Sequence, residues 1–65
     1  MYAIIEVKYR FSHIPIELIK INDEETLERR LAALKNNHQI VRIRVFYPMK
    51  TFVRVVSWLD VDAEN

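Results

Sequence analysis

Cysteine and glycine are both absent from this 65-residue chain, and proline occurs only twice. Without cysteine there is no disulfide scaffold and no thiolate metal site, and the composition fits a reducing compartment such as the cytoplasm. Without glycine there is no phosphate-cradling glycine loop, and turns must be short ones that rarely need positive φ. Uninterrupted apolar runs are short, so neither a membrane span nor a signal peptide is expected. Net charge is nearly absent as well, since ten Lys/Arg against nine Asp/Glu leave +1. Thr51 and Ser57 have no histidine or aspartate at the spacing of a nucleophile and its base. His13 and His38 stand far apart in the chain, and a solvated turn and a helix end account for them. Asp60, Asp62 and Glu64 lack the turn-forming glycine and further ligands of a cation loop. No enzyme, metal site or cofactor is expected.

The composition is 51% apolar, which excludes a disordered chain. The length allows one domain, with residues 1–59 forming it and 60–65 an acidic tail. In so small a domain, burial and the entropy of ordering nearly cancel. An idealised core or self-association must then supply the margin.

Residues 2–11 alternate in polarity and contain β-branched and aromatic side chains, the pattern of a strand. A second strand is expected over about 14–21. Its apolar residues change phase between Leu18 and Ile19, which suggests a bulge there or burial on both faces. Pro15 cannot donate to a ladder and places this strand at an edge. Asn22 with Glu25 predicts a capped helix start, and Leu27, Leu31 and Leu34 form one stripe. Glu25 and Arg29 make a favourable i,i+4 pair. Asn36 or Asn37 would end the helix in the left-handed conformation. Third and fourth strands follow at about 39–47 and 51–59, joined by a turn with Pro48 at its second position.

The order ββαββ predicts an α+β fold with a four-stranded, mainly antiparallel sheet. Strand order 2-1-3-4 makes every neighbouring pair antiparallel and keeps Pro15 at an edge. One helix covers one face. Ala3, Ile5, Val7, Tyr9, Val41, Ile43, Val45, Val53, Val55 and Leu59 are expected on the helix side. Tyr2, Ile4, Glu6, Lys8, Arg10, Arg42, Arg44, Phe46, Phe52, Arg54, Val56 and Trp58 are expected on the other, which has no second layer. That face would hold five of the ten basic residues and one acid. A solvated antiparallel face is normally polar. Mixed aromatics and arginines mark an interaction surface instead.

The function expected is that of a small non-catalytic interaction protein, an adaptor or a stoichiometric inhibitor. It would use Tyr2, Lys8, Arg10, Arg42, Arg44, Phe46, Phe52, Arg54, Val56 and Trp58 against a protein partner with an acidic surface, or against a second copy as a homodimer. Two alternatives stand beside it. Exposed aromatics interleaved with bases also read single-stranded nucleic acid, although no RNP-type motif is present. An oligomer could instead hold a small anionic ligand. The bland reading is a solvated face whose arginines stabilise neighbouring strands. In element order and size the chain resembles small phage-encoded inhibitors of host enzymes. That resemblance rests on no residue motif and implies only a stoichiometric inhibitor.

Overall fold

A computed structural model describes residues 1–10, 13 and 16–57. Pro15, Trp58, Leu59 and the acidic tail lie outside the described residues. The elements are β1 (Ala3–Tyr9), β2 (Ile16–Ile21), α1 (Glu24–Leu34), β3 (Ile40–Tyr47) and β4 (Phe52–Ser57). The four strands form one open sheet in the order β2-β1-β3-β4, and all three pairings are antiparallel. The expected α+β architecture and strand order are both observed.

Alternation in β1 places Ala3, Ile5 and Val7 under the helix, where all three are fully buried. β3 contributes Ile40, Ile43, Val45 and Tyr47, and the helix contributes Leu27 and Leu31. Leu34 packs against the edge of this cluster. The phase change in β2 has no bulge behind it. The β1·β2 register runs unbroken from Ala3↔Ile21 to Lys8↔Ile16. Ile19 and Ile21 therefore face the core, while Ile16, Leu18 and Lys20 face the other way.

Irregularities occur elsewhere in the sheet. Lys8 pairs with Arg42 but Tyr9 with Ile40, leaving Val41 as an extra residue in β3. Arg44 pairs with Val55 but Ile43 with Ser57, leaving Val56 as an extra residue in β4. The first of these bulges brings Ile40 into the core opposite Tyr9. Val41, expected on the helix side, is itself buried at 7% exposure.

The helix begins one residue later than the Asn22–Glu25 pattern implies. Asp23 is the N-cap, with extended φ −149 and ψ 165, and its Oδ1 accepts from the Thr26 amide at 2.7 Å. That bond holds the Asp23 carboxyl below its ordinary range, chiefly through the Thr26 amide. The expected Glu25–Arg29 pair forms at 3.0 Å. The helix does not end in the left-handed conformation. Lys35 is right-handed, and the Asn36 and Asn37 amides close short bonds to Ala33 and Leu34 at 3.3 and 3.0 Å. Asn37 then turns the chain by accepting the Gln39 amide on its Oδ1 at 2.8 Å.

Candidate functional site

The face opposite the helix is defined by pairing, because residues opposite one another across an antiparallel ladder share a face. β1 contributes Ile4, Glu6 and Lys8, and β2 contributes Lys20, Leu18 and Ile16 opposite them. β3 adds Phe46, Arg44 and Arg42. β4 adds Val53 opposite Phe46 and Val55 opposite Arg44. No second layer covers this face among the described residues.

Several side chains expected on this face lie elsewhere. Phe52 pairs with the buried Tyr47, and Arg54 with the buried Val45. Both are therefore on the helix side. Val56, the extra residue at the bulge, packs against the core cluster, and Arg54 reaches Glu28 of the helix at 3.5 Å. Conversely, Val53 and Val55 are on the open face and not in the core. The physical reason is the length of the hairpin loop. Four residues, Pro48–Thr51, separate the paired Tyr47 and Phe52. A three-residue loop would start the strand at Thr51 and reverse every side chain of β4. Thr51 reads as a strand residue by type, yet it adopts φ 48 and belongs to the turn.

Tyr2 precedes β1, and its ring meets Tyr47 edge-on at 5.7 Å, packed against the core cluster. Arg10 lies past the last paired residue of β1, and its amide donates to the Gln39 carbonyl at 2.7 Å. Trp58 lies outside the described residues. Lys8, Arg42, Arg44 and Phe46 share the open face as expected.

The centre of the face is an ion pair. Arg44 Nε donates to Glu6 Oε1 at 2.6 Å, and the guanidinium lies over the Phe46 ring at 5.5 Å. The Glu6 hydrogen bond raises the Arg44 guanidinium further above its ordinary value. The Glu6 side chain is 13% exposed, so the one acid of the face among the described residues is paired and largely covered. Lys8, Lys20 and Arg42 flank it and form no ion pair among the described residues. The Arg42 Nε is buried without a hydrogen-bond partner. Around the bases lie apolar edges. Ile16 is 43% exposed, Leu18 63%, Val53 45% and Val55 36%.

This surface is apolar-rimmed and cationic. Among the described residues no group of His, Cys, Asp or Glu is placed to hold a metal ion, and no helix is long and apolar enough to cross a membrane. Sequence reasoning missed Ile16, Leu18, Lys20, Val53 and Val55. The available signals were the acid Glu17 between Ile16 and Leu18, and the parity of a four-residue loop. Comparison with protein-family models, with curated proteins and with solved structures found no match.

Proposed function

We propose that the chain is a non-catalytic interaction protein, an adaptor or stoichiometric inhibitor, that seats its open sheet face on an acidic macromolecular partner. The observation that carries this reading is the uncovered face itself. Its apolar side chains lie on both edge strands, and the four bases Lys8, Lys20, Arg42 and Arg44 stand against Glu6 alone, a net +3. The apolar rim would supply buried area, and the flanking cations would supply orientation and association rate. A second copy is the other occupant of a face of this kind. Stacked face to face, two copies would oppose like charges, which costs several kcal/mol in misplaced pairings. The acidic partner is therefore favoured, and a homodimer would more readily use the β4 edge.

Sedimentation equilibrium combined with quantitative affinity capture tests this. The expected result is that Arg42→Glu and Leu18→Asp each lose the captured partner and leave the mass in solution unchanged. Capture that is indifferent to both substitutions would overturn the reading. A dimer dissociated by them would assign the face to self-association.

A further inference from the structure

A second feature lies on the other layer, at the end of the sheet where β1 begins and the β3–β4 hairpin turns. A cleft of about 290 Å³ is lined by Met1, Tyr2, Asn22, Tyr47, Met49 and Lys50. A smaller one of about 170 Å³ shares Tyr2, Tyr47 and Lys50 and adds Phe52 and Arg54. The two are neighbours, with Tyr2, Tyr47 and Lys50 standing between them. Among the described residues no acidic side chain lines either one. From these observations the geometry points to a binding site for a nucleoside monophosphate group, independent of the open sheet face.

The two compartments divide the chemistry of such a ligand between them. The larger has aromatic and thioether walls and one amide, Asn22, which can donate to and accept from the edge of a base. The smaller brings together two cations, Lys50 and Arg54, on an aromatic floor. Lys50 lines both, with its Nζ 5.8 Å from the centre of the Tyr47 ring. Tyr47 and Phe52 are stacked at 5.7 Å and 27°. Tyr47 is 8% exposed but Phe52 is 54% exposed, so the stack has one ring fixed in the core and one available to a ligand. Rings offered with adjacent cations are the sequence-tolerant means of holding a nucleotide. Arg54 is tied to Glu28 only at 3.5 Å, with both side chains substantially exposed, and a phosphate would compete for it.

The backbone supplies a separate observation. Thr51 lies between Lys50 and Phe52 and is the one described residue with positive φ, at 48. A β-branched residue held there is strained, and such strain concentrates where side chains must be presented in a fixed geometry. Here it sets the cation and the exposed ring of the site on either side of one turn.

The test is an amide NMR titration of the full chain with AMP, run beside adenosine and inorganic phosphate as half-ligands. Shifts are expected at Tyr2, Asn22, Lys50, Phe52 and Arg54, with AMP binding tighter than either half. Lys50→Ala should weaken AMP at least about fivefold through the lost charge-assisted contact. Arg42→Glu, on the open face, should leave it unchanged, so this site and the interaction face fail separately. A short 5′-phosphorylated single strand completes the set. If it binds about tenfold tighter than AMP with a steep salt slope, the natural ligand is a strand end, and equal affinity identifies a free nucleotide. Shifts centred on Lys8 and Arg42, phosphate binding as tightly as AMP, an unaffected Lys50→Ala, or no saturation by about 10 mM would each overturn the proposal.

Discussion

At the scale of single residues, three positions carry more consequence than their exposure suggests. Thr51 holds a conformation that costs an L-residue about 1–2 kcal/mol. Thr51→Gly should raise stability by roughly 0.5–1 kcal/mol, the relief being partly offset by glycine's greater freedom in the unfolded chain. A urea midpoint that falls would show that the turn is not strained. Asp23 caps the helix by accepting from Thr26. Its folded pKa lies below its unfolded value. The stabilisation is therefore present above the unfolded pKa and is lost as pH falls through the folded one. The stability difference between wild type and Asp23→Ala should shrink steadily on acidification through that window, and a difference independent of pH would mean that the carboxylate form is not what caps. Glu6→Gln, which keeps the shape but removes the charge facing Arg44, should cost about 1 kcal/mol by chemical denaturation.

At the scale of elements, how much could be read from the sequence depends on which periodicity is read and from what anchor. β1 declares its faces because it alternates cleanly over a full strand, β3 does so from Arg42 to Tyr47 beyond its bulge, and α1 declares its stripe through Leu27 and Leu31. The strand order follows from one helix joining two strands that must run in the same direction. β4 could not be placed from its own residues. Phe52, Val53, Val55 and Val56 are apolar on both phases, so only the loop before it sets the parity, and Thr51 conceals that loop's length. The first helical residue was misread by one for a related reason, since Asn22 and Asp23 are both good caps and only the backbone chooses between them. The candidate face was thus half legible, with Ile4, Glu6 and Lys8 of β1 and Arg42, Arg44 and Phe46 of β3 read correctly, Tyr2 and Arg10 falling outside the ladder, β2 left unassigned and β4 inverted. A contrast between two leucines checks the corrected layers. Leu27→Ala should cost about 2–4 kcal/mol, whereas Leu18→Ala should stay within about 0.5 kcal/mol. Similar losses at both positions would mean that Leu18 is covered by something other than solvent.

At the scale of the whole molecule, the described residues place a single helix over one side of a sheet in a chain of marginal size. Native stability for such a length is of the order of 3–10 kcal/mol, so one core truncation removes a large part of it. The binding proposed for the open face would be conditional on the medium. Association through Lys8, Lys20 and Arg42 should slow severalfold between about 0.05 and 0.3 M salt while dissociation changes little, as stopped-flow measurement would show. A rate indifferent to ionic strength would remove the charge argument for an acidic partner.

The strand order has a temporal consequence as well. The central ladder joins β1 to β3, and its ion pair joins residues 38 positions apart. Everything translated between them must exist before the middle of the sheet can close, and until it does α1 has only part of its floor to rest on. Distant closure of this kind slows the search for the native state relative to local hairpins. The emerging polypeptide should therefore remain uncommitted until β3 has left the ribosome, then acquire its shape in one cooperative event.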